Sequence, residues 1–349
     1  MWRRWESNPR PLDTLAQKTP HSQTKKSVLL KGNGSDLSDT KALQGRAKRK
    51  LISQSLALSL IDIAKENEDN ESLKSFWNFY HCQNKLHTHN NRIHGNYCKS
   101  HICPICCANR KADLINRYLP VVLSWPDQQF LTLTSRSVKE KYLSRNLDGS
   151  IRALSQILKK QRQKAYKEKG KAFVGIRSIE CNFNSVKKTY NPHIHLLLPD
   201  KETAEAIRTE WLKKWTKKHT IPIAQYIRPV RKVEEDLIEI IKYGSKIFIE
   251  PDMKKNKDNK TPPMIYARAL YNIFRAMSGR RLFQNFGFDM PKIQRVVNEP
   301  FFAYDAPEWQ YDLTQSSWIS TETGKLLFEP EINAKLEFLL HNNINKSED

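Results

Sequence analysis

The sequence predicts an α+β fold, an antiparallel sheet with flanking helices preceded by a zinc-knuckle-like segment. Three observations predict it. Apolar alternation marks strands at residues 129–134, 173–183 and 193–198, and the polar stretch 184–190 joins the last two as a hairpin connection. Helical spacing marks segments on either side of these strands. A cluster of cysteines and histidines over residues 81–107 comes before them. The 349 residues suffice for one or two domains at about 150 residues each.

The balance of 59 Lys plus Arg against 37 Asp plus Glu leaves a net charge of +22, which points first to nucleic acid as partner. The charge is uneven: from Val297 onward the chain carries −7, so residues 1–296 carry +29. No apolar run reaches about 18 residues, and the start MWRRWESNPRPLDT lacks the apolar core of a secretory signal. A cytoplasmic protein without a membrane role is expected.

Residues 1–50 mix polar residues without periodicity and end in the basic run GRAKRK, which predicts a flexible basic arm. Residues 51–125 are expected to form a helical region with the Cys/His segment. Leu51, Leu56, Leu58, Leu60, Ile61, Ile63, Leu73 and Phe76 recur near helical spacing around a polar break at 66–71. Within CKSHICPICC, Cys103 and Cys106 have the two-residue spacing of a zinc knuckle, and Cys98 supplies a third thiolate. The candidate structural zinc set is Cys98, Cys103, Cys106 and Cys107, with Cys82 and His94 competing for the fourth position. Cys181 falls in a strand and is expected in the core.

Residues 126–290 carry the remaining chemistry. A strand places residues i and i+2 on one face, so His193 and His195 of PHIHLLL point together and can hold one divalent cation. Ser178, Glu180 and Asn182 share the more polar face of the preceding strand, which makes Glu180 a candidate third ligand. Thr132 and Thr134 of FLTLT lie opposite Leu131 and Leu133. A basic helix is expected near 150–170, a helix over 201–218, a strand near 223–230, and helices at 234–243 and 266–277, with 252–263 a charged loop.

In EIIKYGSK, Glu239 and Tyr243 are four residues apart and share one helix face. A phenol with a normal pKa of about 10 is a poor nucleophile, but a metal-polarised phosphodiester and nearby cations bring phenolate character within reach. Glu239 would activate a water or a second hydroxyl at the same phosphorus, and Lys242 or Lys246 would hold phosphate oxygens. Residues 291–349 are expected to form an acidic extension.

FLTLT, the strand with Glu180, PHIHLLL and EIIKYGSK, in that order, resemble the motifs of plasmid rolling-circle replication initiators, the Rep proteins of the HUH endonuclease superfamily. CKSHICPICCANR and GRRLF at 279–283 resemble that family's flanking features, and the likeness spans roughly residues 80–290. The resemblance implies a relaxase-like sheet with its metal site on one face and a nicking tyrosine on a nearby helix. It implies His193, His195 and Glu180 as ligands of Mg²⁺ or Mn²⁺, and Tyr243 as the nucleophile that forms a 5′-phosphotyrosine and frees a 3′-OH. It places Glu239 at the acidic position of the single-tyrosine branch, which promotes terminating cleavage through water. Partners implied are plasmid origin DNA, a host helicase and a DNA polymerase, since nothing in the chain resembles a nucleotide-binding loop. An HUH transposase or relaxase would use the same chemistry, and a non-catalytic zinc-stabilised DNA-binding regulator is the alternative from another class.

Overall fold

The computed structural model describes residues 29–30, 35–215, 219–241, 263–290, 301–302 and 306–347. The two-residue strands β1 (Leu29–Leu30) and β2 (Ser35–Asp36) come first. Helices α1 (Thr40–Glu66) and α2 (Asn70–Tyr80) then open on Asp39 and Asp69, whose carboxylates accept from the amides of Ala42 and Ser72. Such caps satisfy amides that the first turn leaves without an intrahelical acceptor.

The basic run 45–50, expected to finish a flexible arm, instead lies inside α1. Leu43, Ala47 and Leu51 recur every four residues and are buried, and that apolar stripe outweighs the charge around it. Arg46 and Lys50 are buried with satisfied cations. Arg46 Nη1 donates to Gln83 Oε1 at 2.6 Å, and Lys50 Nζ donates to the Tyr80 and Cys82 carbonyls at 2.8 Å and to Asn84 Oδ1 at 2.5 Å. Neither can be the phosphate contact of a loose arm. Residues 1–28 lie outside the described residues.

The chain continues through β3 (Lys85–His89), β4 (Arg92–Gly95), α3 (Pro104–Leu123), β5 (Gln129–Thr134) and α4 (Leu143–Glu168). Next come β6 (Gly175–Asn184), β7 (Thr189–Leu198), α5 (Lys201–Lys214), β8 (Tyr226–Pro229) and α6 (Val233–Ile241). Helix α7 (Pro263–Met277), strands β9 (Phe283–Phe286), β10 (Phe301–Phe302), β11 (Glu308–Asp312) and β12 (Ser317–Ser320), and helix α8 (Ala334–Ser347) complete it. Among the described residues no helix is long and apolar enough to cross a membrane.

Two five-stranded antiparallel sheets result, ordered β12-β11-β3-β4-β2 and β8-β5-β7-β6-β9. Within the expected acidic extension, β11 and β12 pair into the first of these sheets. Trp309 pairs with Leu86, and Trp318 is fully buried with its indole N–H donating to the Gln83 carbonyl at 2.8 Å. Alternating aromatic residues in EWQYD and SWIS drive that docking more strongly than the surrounding acidic charge opposes it.

The second sheet positions the site. Leu131, Leu133, Ile179, Ile194 and Leu196 line one face and are all but inaccessible. Leu154 and Ile157 of α4, with Ile207 and Trp211 of α5, join them in one core. Each such side chain contributes about 1.5–3 kcal/mol by leaving water. Gly175 opens β6 where no larger residue fits, since a Cβ there would lie 2.7 Å from both Leu198 and Phe286. The other face carries Thr132, Thr134, Glu180, His193 and His195. Tyr118 of α3 meets the Phe283 ring on that face at 5.2 Å, and α6 packs between α3 and strands β6 and β7.

Candidate metal centres

Antiparallel register places Glu180 opposite His193, and Ser178 and Thr132 on either side of His195. Glu180 Oε2 consequently lies 3.5 Å from His193 Nε2 and 3.6 Å from His195 Nε2. All three residues are at most 9% exposed. His193 Nδ1 donates to the Asn191 carbonyl at 3.0 Å, which leaves the Nε2 lone pair aimed at the carboxylate. His195 Nδ1 is paired with Thr132 Oγ1 at 3.0 Å, so its Nε2 faces the same point.

Electron-rich atoms converging out of water repel unless a cation sits among them. A divalent ion about 2.1 Å from each donor spaces neighbouring ligands about 3 Å apart, close to the observed separations. One carboxylate with two imidazoles suits a first-row divalent ion that keeps open positions for water or phosphate. Burial pushes the Glu180 carboxyl up, but the two imidazoles beside it outweigh this and hold it below the ordinary carboxylate range. The residues therefore fit a divalent cation.

Helix α6 lies over this face and is anchored by a pair that sequence reasoning missed. Arg228 of β8 makes a two-pronged bond to Asp236 of α6, with one arm, Nη1 to Oδ2, at 2.8 Å. The guanidinium lies 4.4 Å from the centre of the Phe130 ring, which is 5.1 Å from the His195 ring. A contiguous line thus runs from the helix to the metal ligand. The signal was faint, because an Arg and an Asp eight residues apart across a turn have no periodic signature.

Burial pushes the Asp236 carboxyl up, and the Arg228 bonds and charge pull it down further, so the net shift is downward. Its contribution to stability is complete above the unfolded carboxylate pKa of about 3.9 and disappears as pH falls through the lower folded value. Asp236→Asn is expected to cost about 1–3 kcal/mol in urea unfolding at pH 7. The difference from the parent should vanish under strongly acidic conditions, and a variant of parental stability at pH 7 would contradict the anchor.

Glu239 is half-buried on α6, three residues beyond Asp236. Lys242, Tyr243 and Lys246 lie outside the described residues. Arg177 is buried, with Nη2 donating to Gln284 Oε1 at 3.0 Å. Its position in β6 puts it on the face with Leu196, away from Glu180. Lys159, Lys160 and Arg162 are exposed on α4, as are Lys187 and Lys188 in the β6–β7 turn. Cys181 lies in the core as expected.

The second centre joins Cys82, Cys98, Cys103 and Cys106, whose sulfurs all lie within 4.8 Å of one another. Cys82 and Cys98 stand 3.7 and 3.5 Å from Cys106. Tetrahedral zinc with Zn–S bonds of about 2.3 Å requires sulfur separations of about 3.8 Å. Cys103 and Cys106 sit at the start of α3, where unpaired amides and the helix dipole favour thiolates. The Cys98 amide points at the Cys82 sulfur at 3.5 Å.

This geometry corrects the expected set. Cys107 is the next residue along α3, so its side chain turns away and its thiol donates to the His101 carbonyl at 3.0 Å. Burial pushes that thiol up to about 12. His94 lies in β4 opposite His87 and outside the cluster. Beneath the sulfurs sits Lys50, whose ammonium burial pulls down to about 8 against the opposing pull of the cysteine sulfurs. A zinc tetrathiolate carries two net negative charges, so this buried cation suits it.

The fold and site together define an α+β domain with a candidate histidine-carboxylate metal site on one sheet face. The family model described as replication protein matches residues 90–294, more than half of the chain. The chain belongs to the replication protein family. Among curated proteins it is 26% identical to Protein rep of Streptococcus pneumoniae serotype 2 (strain D39 / NCTC 7466) over 181 residues, 47% of this chain and 54% of the relative. It is 28% identical to Protein rep of Staphylococcus aureus over 168 residues, 43% of this chain and 70% of that relative. With Protein rep of Lentilactobacillus hilgardii it shares 31% over 132 residues, 34% of this chain and 40% of the relative. The match thus spans about half the length of the first of these relatives. No solved structure matches.

Proposed function

We propose that the chain initiates plasmid rolling-circle replication by nicking one strand at the origin. The observation that carries this reading is the convergence of Glu180, His193 and His195 on the sheet face covered by α6, the helix that leads toward Tyr243. A divalent cation bound there would polarise the scissile phosphate and neutralise charge that develops on its oxygens. Glu180, His193 and His195 hold that position, with Thr132 and the Asn191 carbonyl orienting the two rings.

Tyr243 Oη attacks phosphorus as its proton departs, the bond from phosphorus to the 3′-oxygen breaks, and that oxygen leaves as a 3′-OH after taking up a proton. The 5′-phosphate remains on the tyrosine. Lys242 and Lys246 neutralise phosphate oxygens. In termination, Glu239 accepts a proton from water that attacks the phosphotyrosine and displaces Tyr243. A zinc ion on Cys82, Cys98, Cys103 and Cys106 ties the end of α2 to the start of α3. The net charge of +22 favours the DNA strand, and a host helicase and polymerase would extend the freed primer.

The test incubates purified protein with labelled single-stranded origin DNA in Mg²⁺, Mn²⁺ or EDTA, beside Tyr243→Phe. A metal-dependent covalent adduct is expected, and it should be absent from Tyr243→Phe. Tight binding with no nick in either metal would favour a zinc-stabilised DNA-binding regulator instead.

A further inference from the structure

The sheet face that bears Glu180, His193 and His195 continues past β5 to an open edge. Among the described residues β8 pairs only with β5, and its register sets Tyr226 opposite Thr132, which in turn lies opposite His195. Tyr226, Thr132 and His195 therefore form one cross-strand row on one face. Two strand spacings put the tyrosine about 10 Å from the metal ligand. Thr132 is also the residue that holds the His195 ring.

Tyr226 is 58% exposed, and just before it in the chain Ile223 and Ile221 are 86% and 44% exposed. Single exposed apolar residues are ordinary, but an exposed aromatic residue that follows two exposed isoleucines in the chain and shares a sheet face with a buried polar site is not. The other strongly exposed aromatic residues among the described ones, Tyr142, Tyr166 and Phe338, sit by the start of α4, within it, and on α8, which packs on α1, away from this row. Arg136, exposed just beyond the end of β5, adds positive charge at the same sheet end as His193. An exposed aromatic face on a sheet that also presents Arg136, in a chain of charge +22, matches the chemistry of single-stranded nucleic acid, whose phosphates meet cations while its bases stack.

We propose that Tyr226 is a base-stacking platform that holds a nucleotide of single-stranded DNA beside the phosphate seated at the metal site. The inference rests on the nicking reading and deepens it by naming where the strand lies: across β7 and β5 toward β8. Tyr226 is a positioning residue. It acts through the base and takes no part in bond making, and stacking sets how firmly the strand is held.

The test uses the full chain carrying Tyr243→Phe, so that no cleavage intervenes, and measures binding of labelled oligo(dT) by fluorescence anisotropy in EDTA. Loss of one stacked base at about 1–3 kcal/mol predicts that Tyr226→Ala weakens binding about 5- to 140-fold. Tyr226→Phe should bind within about twofold of the parent. Tyr226→Leu, which keeps apolar bulk without a π face, should resemble Ala and so separates stacking from packing. Photocrosslinking with 5-iododeoxyuridine in the oligonucleotide should attach at Tyr226.

Parental affinity in Tyr226→Ala, or a crosslink confined to other residues, overturns the inference while leaving nicking intact. Failure of the parent chain itself to bind oligo(dT) or to cleave origin DNA overturns the nicking reading, and the stacking platform with it.

Discussion

His195→Ala is expected to reduce origin nicking at least about a hundredfold and to remove most of the affinity for Mn²⁺ measured by calorimetry. His195 is one of the three candidate ligands among the described residues, and its loss leaves the Glu180 carboxylate buried beside a single imidazole. Thr132→Val provides a graded comparison, because it keeps the ligand and removes the hydroxyl paired with His195 Nδ1. Outer-sphere partners of this kind are worth about 10- to 100-fold in metal affinity or activity. Unchanged Mn²⁺ binding in His195→Ala would show that the two histidines merely stabilise the strand.

The second large effect concerns the sulfur cluster. Cys82→Ser is expected to lower zinc content from one ion per chain toward none and to destabilise the core formed by α1, α2, α7 and the cysteines. Structural zinc contributes about 10–16 kcal/mol of apparent binding energy in small domains, of which a larger fold loses only part. A loss of several kcal/mol corresponds to a fall in Tm on the order of 10 °C. Cys107→Ser should keep its zinc and melt close to the parent, since its thiol bonds to the His101 carbonyl and lies outside the sulfur cluster. The opposite pattern, zinc lost from Cys107→Ser and retained by Cys82→Ser, would restore the ligand set read from the sequence. Zinc content is measured by atomic absorption and melting by circular dichroism.

Much of the site was legible because its logic is local. A period of two along a strand determines that His193 and His195 share a face, and a hairpin brings the polar side of its partner strand to them, so Glu180 followed. The Cys103–Cys106 spacing likewise carries its own geometry. What escaped depends on contacts between distant segments. Cys82 lies 16 residues before Cys98, across the whole β3–β4 hairpin, and only that hairpin's return brings the two together.

The basic run at 45–50 was misread for a related reason. Its charge is conspicuous in sequence, whereas the carbonyls of Tyr80 and Cys82 that satisfy Lys50 come from another helix end. The acidic end of the chain followed the same rule, its net charge hiding the two tryptophans that seat it against β3 and Gln83. Arg228 and Tyr226 became visible only when the register of β8 against β5 was known, because a four-residue edge strand carries almost no pattern of its own.

The central claim is that Tyr243 attacks a phosphate held at the Glu180, His193 and His195 site. Its most direct test is mass-spectrometric mapping of the peptide that remains linked to DNA after reaction with origin single strands in Mn²⁺. A 5′-phosphotyrosine on Tyr243 is expected, formed by the parent chain and absent from both His195→Ala and reactions in EDTA. A linkage on another residue, Tyr226 included, or an adduct formed equally well without metal, would contradict it.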